Sequence, residues 1–517
     1  MHDEQLTLPG IPARVASAGA ARVDAPAAPA VRVRAVDRQQ IVLTPVSVEH
    51  LIPNDHPARA IWAFVGDLDL SRFRAPIRAV AGRAGRPPYD PHLLVSLWVY
   101  SYSRGNTSAR EIARRCGYDP AFQWLTGLQE LSAHTLSDFR VDHGEALRDL
   151  MSQILGLLSA EGLITLERVM HDGTKIRACT SSGAFRTHAR VDQRVAEARA
   201  VVEALEAMPE EEGRARQQRA RERGARDRQR RLEAALQEFD KLAAAQSRMT
   251  RVSTTDPDAR VMKQADGGTA PSYNVQITTD ATECFIVAIE PTTAGSDYQQ
   301  LTPAVDRVAR DLNHLPQQMV VDGGFVSHRN IVVLADRGID LIGPDPSTGG
   351  HTANRQKSFQ YRSVHPDYHT SRFTYDAPTN TYVCPQGKRL AYDAKESKAG
   401  RIHYRYLATA ADCHACPAKP VCCPRTRHGR SVQRSEPVPQ VAAFCARMQT
   451  DEARAIYKTR SQVAEFPHLW IKEKLNLRRF RVRGLKSVTL ECLWAALTYN
   501  IHHWIRLHRP AVQPCAA

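Results

Sequence analysis

"QQMVVDGGFVSHRNIVVLADRGIDLIGP", residues 317–344, reads as strand, helix and strand in close succession. Met319, Val320 and Val321 form an apolar run that stops at Asp322, where Gly323 and Gly324 let the backbone turn sharply. Ser327 to Gly338 then reads as a helix closed by the glycine, and Ile339 to Gly343 as another strand. No partner strand follows Asp322 directly, so a hairpin does not account for the break. The pattern predicts a buried strand feeding a helix, with an acid at the carboxyl end, where open α/β sheets place their chemistry.

A second aspartate needs the same question asked of it. "VMHDGTKIRA", residues 169–178, sets Asp172 and Gly173 between two strand-like runs. Locally that is a strong hairpin signal. Further strand-like text follows in "SYNVQITTD" (272–280) and "CFIVAIEPTT" (284–293), and a helical pattern in "DYQQLTPAVDRVARDLN" (297–313). Two strand-end aspartates 150 residues apart can supply two corners of a site for hard divalent cations, which take oxygen ligands. A third carboxylate is expected from a later helix. "YKTRSQVAEFPHLWIKEKLNLRRFRVRGLKSV" (457–488) offers Glu465, which shares a helix face with Lys472 two turns on. Such a pair is ordinarily a surface ion pair, but here Tyr457 and Arg460 precede it within two turns. Pro467 is expected to start or kink that helix.

The 517 residues, 43% of them hydrophobic, suffice for two to four globular units. No apolar run approaches the ~18 residues of a membrane span. The acidic start, "MHDEQLTLPG", lacks the apolar stretch of a secretory signal, so a cytoplasmic protein is expected. Eleven cysteines in so long a chain point to thiols or metal rather than a disulfide scaffold. The net charge of +15 favours a polyanionic partner, since each neutralised phosphate releases counterions.

Residues 1–38 read as a disordered tail and 39–162 as an N-terminal all-α, DNA-binding domain. In "TSAREIARRCG" (107–117), Ser108 and Glu111 form a capping box ahead of Gly117. "DPAFQWLTG" and "TLSDFRVDHGEALRDLMSQILGLLSAEG" follow, a cluster able to hold a helix-turn-helix. Between 188 and 250, Val191, Val195, Ala198, Val202 and Leu205, then Leu232, Ala235, Phe239 and Leu242, give a heptad seam on two helices folded into a hairpin. Arg214 to Arg231, with nine arginines, joins them as either a solvated face or a clamp on phosphate. Residues 345–450 form a cysteine-rich insertion, too poor in apolar residues to fold by packing. Cys384, with its following Pro and Gly, resembles half a zinc knuckle, and Cys413 and Cys416 have C-x-x-C spacing. With Cys422 they make a candidate structural zinc site, in which Cys423 or His414 are alternative ligands.

At this point the chain resembles transposases of bacterial insertion sequences of the Asp-Asp-Glu type, and among them the insertion-sequence eleven-eighty-two-like group. The resemblance runs from "LIPNDHPARAIWAFV" to "NIHHWIRL". It is carried by "GRPPYDPHLLVSLWVYSYSRG", "HTLSDFR", "ITLERVMHDGTKIRA", "TTDPDARVMKQ", "VVDGGF" and the Tyr457, Arg460, Glu465, Lys472 series. It implies an α/β ribonuclease H-like core, a mixed sheet with flanking helices, over 163–344 (interrupted by the hairpin) and 451–508, with 509–517 a tail. It implies Asp172, Asp322 and Glu465 as catalytic ligands of Mg²⁺ or Mn²⁺, and Tyr457, Arg460 and Lys472 as DNA contacts. The implied partners are double-stranded DNA, at the element's terminal inverted repeats and at the target, and further copies of the chain. The rivals are an inactive relic acting as a repressor and a nuclease that never joins strands.

Overall fold

The computed structural model describes residues 45–79, 87–208, 215–245, 250–345, 364–398 and 401–508. The tails expected at 1–38 and 509–517 lie outside these residues.

Eight strands belong to the first half of the fold: β1 (Arg168–Arg177), β2 (Phe185–Arg186), β3 (Val252–Ser253), β4 (Arg260–Lys263), β5 (Thr269–Asp280), β6 (Ile286–Thr292), β7 (Gln318–Val321) and β8 (Asp340–Ile342). Six of them make one mixed sheet, β6–β5–β1–β7–β8, with β4 sharing the outer edge of β5 with β6. β6, β5 and β1 are antiparallel, whereas β1, β7 and β8 run parallel. β5 is rich in Val, Ile, Thr and Tyr and is buried from Pro271 to Asp280, as a strand covered on both faces must be.

The stretch 317–344 folds as β7, the helix His328–Asp336 and β8. The Ser327 hydroxyl accepts the Asn330 N–H at 3.1 Å to start the helix, and Gly338, at φ +73°, lets the chain reverse after it. The helix Leu301–Leu312 buries Leu301, Ala304, Val305 and Val308 and packs on β5 and β6. The helix Arg460–Leu469 packs on β1 and β5.

Asp172 does not sit in a turn, nor at the end of its strand. β1 continues to Arg177, and only its parallel partner β7 stops, at Val321. The Asp-Gly pair is held extended because Gly173 pairs with Gln276 of β5.

Among the described residues, seven helices lie between 57 and 160, from Pro57–Gly66 to Gly144–Ala160. The Ser108 hydroxyl accepts the Glu111 N–H at the start of Ala109–Cys116. These helices share one hydrophobic core with the sheet, because the buried C-terminal helix Leu485–His508 lies against both. Asn500 of that helix bonds both the N–H and the carbonyl of Ile286, at 3.0 and 2.9 Å, beside the irregularity at Thr278/Thr279. Glu491 is fully buried; it accepts the Arg481 N–H at 2.9 Å and faces Arg140 at 3.7 Å. This pair ties the N-terminal helices to the C-terminal one.

Two readings of the insertions are corrected. The arginine-rich stretch is not a linker: Arg216 to Arg231 belong to the helix Ala215–Ala244, which packs back along His188–Glu206. Arginine is a good helix former, and a lone Gly224 costs only about 1 kcal/mol. The cysteine-rich region is not a structureless loop either. It holds a five-stranded antiparallel sheet, β9 (Thr374–Asp376), β10 (Thr381–Val383), β11 (Arg389–Lys398), β12 (Arg401–Ala408) and β13 (Ser431–Pro437), in consecutive order. Its own core contains Phe373, Leu390, Tyr406, Ala408, Val432, Cys422 and Cys423.

Candidate active site

The parallel register brings the two aspartates together. His171 of β1 is level with Val321 of β7, so one step further along both strands sets Asp172 beside Asp322. Asp172 is 18% exposed. Its Oδ1 accepts the Gly173 N–H at 2.8 Å, and its Oδ2 lies 3.4 Å from Arg460 Nη1 and 3.9 Å from His468 Nδ1. Asp322 Oδ1 accepts the Gly324 N–H at 2.8 Å, an Asx-type closure of the turn after β7. Burial pushes the Asp172 carboxyl up to about 6; Gly173 and Arg460 oppose this, and the Asp322 charge adds to it.

The helix Arg460–Leu469 aims Arg460 and His468, eight residues apart, at Asp172. Pro467 lies inside this helix rather than at its start, and a five-residue π turn, Trp470–Lys474, follows it. Proline removes one backbone donor, and the wider turn re-aims the chain that carries Lys472. Lys472 is half-buried; burial lowers its pKa, Arg478 adds to that, and Glu473 and Asp172 oppose it. Tyr457, on Asp451–Lys458, packs against the main core. Glu465 is exposed and lies on the flank of its helix next to His468. The structure thus groups Asp172, Asp322, Arg460, His468 and Lys472. Among the described residues, no set of three or more His, Cys, Asp or Glu side chains is arranged to hold a metal ion.

His468 is the site residue that sequence reasoning missed. Burial, with Lys472, His171 and Arg460 nearby, pushes its imidazole down to about 3, and its Nε2 is buried without a partner. The four-residue spacing of Arg460, Ala464 and His468 is the signal that could have found it.

Behind β1, on the face opposite Asp172, lies a directed polar chain. Asn274 Nδ2 and Gln276 Nε2 donate to Asp297 Oδ1 at 2.7 and 2.9 Å. The Gln276 oxygen therefore faces His171 Nε2 at 3.0 Å, which fixes that nitrogen as the donor and leaves Nδ1 to accept from the Thr278 hydroxyl at 2.9 Å. Burial pushes His171 down to about 4, so it is neutral. The Asp297 carboxylate fills the space a side chain at 173 would need: a Cβ there would lie 2.5 Å from Asp297 Oδ1. Gly173 thus holds Asp172 with its N–H and seats Asp297 with its missing side chain.

In the second sheet, Cys384, Cys413, Cys416, Cys422 and Cys423 line one small pocket with Lys388 and Arg430. The Lys388 N–H donates to Cys384 Sγ and the Arg430 N–H to Cys413 Sγ, both at 3.3 Å. Burial pushes the Cys422 thiol up to about 12 and raises Cys413 as well.

Two family models match the chain. The Transposase DDE domain matches residues 383–505, and the Transposase domain (DUF772) matches 46–142. No curated protein and no solved structure matches significantly. The first segment contains Tyr457, Arg460, Glu465, Lys472 and the pocket cysteines; Asp172 and Asp322 lie outside both. Together the matches support a transposase of the Asp-Asp-Glu type, and with it DNA transposition in general. No described helix is long and apolar enough to cross a membrane.

Proposed function

We propose that this chain is a DNA transposase that binds the terminal inverted repeats of its own insertion sequence, cleaves at the ends and joins them to target DNA by metal-assisted phosphoryl transfer. The observation that carries the reading is the pair Asp172, within β1, and Asp322, just past the end of the parallel strand β7, with Arg460 reaching Asp172 from its helix. The strand order supports a ribonuclease H-like core, and the ordered motifs support the insertion-sequence eleven-eighty-two-like group. An assembly of two or more copies on paired DNA ends, associated with the nucleoid, follows from the same reading.

The donors suit a hard cation. Two adjacent carboxylates whose charges oppose each other, one of them largely buried, offer oxygen ligands and gain from a nearby positive charge. Asp172 and Asp322 would hold a divalent cation such as Mg²⁺, with Glu465 supplied by the helix. When bound, such cations supply Lewis-acid assistance and an activated nucleophile. The chain's own residues do the rest. Arg460, which neutralises Asp172 in the free protein, turns to the scissile phosphate together with Lys472 and Tyr457. The dry wall made by His468 keeps bulk water from Asp172.

Cleavage of a labelled terminal-repeat duplex with Mg²⁺, beside a gel shift on the same DNA, tests the assignment. Asp172→Asn, Asp322→Asn and Glu465→Gln should each lose at least 100-fold in cleavage and still bind. Pairs should lose little more, since ligands of one site act as a unit. Wild-type-like cleavage by any variant removes that residue from the site. A repressor relic would shift the DNA and cut nothing, whereas a plain nuclease would cut without joining to a target plasmid.

The cysteine pocket favours a second metal, a structural zinc held by Cys384, Cys413, Cys416 and Cys422. Its support is five thiols on one pocket, two of them accepting backbone N–H groups as metal-bound sulfurs do. The thiols are not gathered about one centre, and no step of the reaction passes through them. Elemental analysis should give about one zinc per chain, lost in Cys413→Ser/Cys416→Ser; a zinc-free protein purified without chelator excludes it.

A further inference from the structure

The hairpin helix Ala215–Ala244 carries its charge unevenly. Residues 215–231 hold eight arginines against Glu222 and Asp227, whereas 232–244 hold Lys241 against Glu233, Glu238 and Asp240. The partner helix His188–Glu206 balances Arg190, Arg194 and Arg199 with four acids. The hairpin is rooted at β2 and β3, so this arginine-rich half lies at the end far from the sheet; the sequence places Glu210, Glu211 and Glu212 shortly before it.

The charge is also arranged around the helix. Gln218, Glu222, Ala225 and Gln229, spaced four, three and four, are the half-buried residues of this part. Arg226 reaches Glu206 at 2.9 Å and Glu233 reaches Arg199 at 2.9 Å, which fixes that side as the one facing the partner helix. Arg219, Arg223, Arg226 and Arg230 form an exposed row on one flank. Arg221 and Arg228, seven apart and also exposed, form a row on the other, and neither makes an ion pair among the described residues. Between the rows come Ala220, Gly224, Asp227 and Arg231, and nothing lies within 4 Å of where a Gly224 Cβ would be.

Two features separate this from an ordinary solvated helix. Beside the mixed-sign pairs made by Glu222 and Asp227, Arg219–Arg223, Arg223–Arg226, Arg226–Arg230 and Arg228–Arg231 set like charges three or four residues apart, where they repel. A polyanion relieves that repulsion. The rows also stand on opposite flanks of a helix ~10–12 Å across, close to the ~12 Å width of the B-DNA major groove. The pairs with Glu206 and Asp227 are exposed and screened by solvent, so they yield easily to phosphate.

We infer that the far half of this helix is a sequence-independent DNA arm, its two arginine rows meeting the phosphates on both sides of a duplex groove. The inference rests on the reading of the chain as a DNA transposase, and it concerns a segment that neither family match covers. The arm would hold flanking or target DNA while other parts of the chain recognise the ends.

The test is fluorescence anisotropy with the full chain and a 40-base-pair duplex lacking the element's ends, from 50 to 200 mM salt. Parent, a quadruple Arg→Gln variant at 219, 223, 226 and 230, and the same four Arg→Lys are compared. Four lost phosphate contacts should flatten the log–log salt slope by about 3–4 and weaken binding at least tenfold at 100 mM. The lysine variant should keep the parental slope. Duplex RNA, whose deep, narrow major groove excludes such a helix, should bind more weakly and be indifferent to the glutamine changes. An unchanged slope in the glutamine variant overturns the arm and leaves the transposase reading standing, as does equal sensitivity on RNA. A parental slope that depends on the arginines, in a protein that never cleaves its ends, overturns the transposase reading instead.

Discussion

Asp172→Asn should make the protein more stable at neutral pH while abolishing its proposed chemistry. Burial raises the folded-state pKa of Asp172 from 3.8 to about 6. Between those values the folded state binds the proton more tightly than the unfolded chain, so stability falls as pH rises through the window, and the ionised carboxylate remains a cost above pH 6. The displacement corresponds to about 3 kcal/mol at most. Arg460, left without its carboxylate partner in the variant, takes back part of this. Asparagine keeps the side-chain shape and carries no charge, so a net gain of about 1–3 kcal/mol is expected at pH 7.5, shrinking to nothing near pH 4. For a chain of this length that is only about 1–3 °C in Tm, so denaturant midpoints should be recorded alongside melting curves from pH 4 to 8, in EDTA. Added Mn²⁺ should stabilise the parent more than the variant, because a ligand that binds only the folded state raises its stability. A variant that tracks the parent across the whole range, or is weaker at every pH, refutes the idea that a desolvated charge is stored at this position.

His468 titrates in the opposite sense. Its folded pKa of about 3 lies below the ordinary 6.5, so its contribution is present above pH 6.5 and is lost as pH falls towards 3. His468→Phe should therefore flatten acid unfolding over that window, as judged by tryptophan fluorescence. Gly173→Ala sets a methyl group 2.5 Å from Asp297 Oδ1 and 2.7 Å from Gln276 Nε2, and should cost about 1–3 kcal/mol in denaturant titration together with most of the end cleavage. Glu491→Ala leaves Arg140 buried opposite no charge and should cost about 3–5 kcal/mol in the same titration; Glu491→Gln should cost less.

Local signals were sufficient wherever the neighbours in sequence are also the neighbours that decide the structure. The unit 317–344 is of this kind: its helix is bounded by Ser327 and Gly338, both of which act on backbone groups within a few residues. Asp172 is different. Asp-Gly reads as a turn because glycine bends easily, and it stays extended only because β5 pairs with it and Asp297, 124 positions further on, fills the glycine's gap. The arginine run hid a helix because charge obscured the apolar seam that continues only from Leu232. The alternation in "RIHYRYLA" (401–408) is a strand signal, with Tyr406 buried and its neighbours less so, but the cysteines drew attention away from it. Pro467 concealed His468 by suggesting that the helix began there, when Arg460 had already begun it.

The two-residue clasp β2–β3, with Phe185 level with Ser253 and Arg186 with Val252, means that the chain departs from the main body at one point and returns beside it. Whatever lies between contributes a side branch rather than a layer. The clasp holds the two ends of the branch together, so the sheet that carries Asp172 is almost indifferent to how far the branch reaches. Lineages could lengthen, shorten or recharge it without re-optimising the site. The clasp makes the length of the branch a property that can drift while the sheet stays fixed.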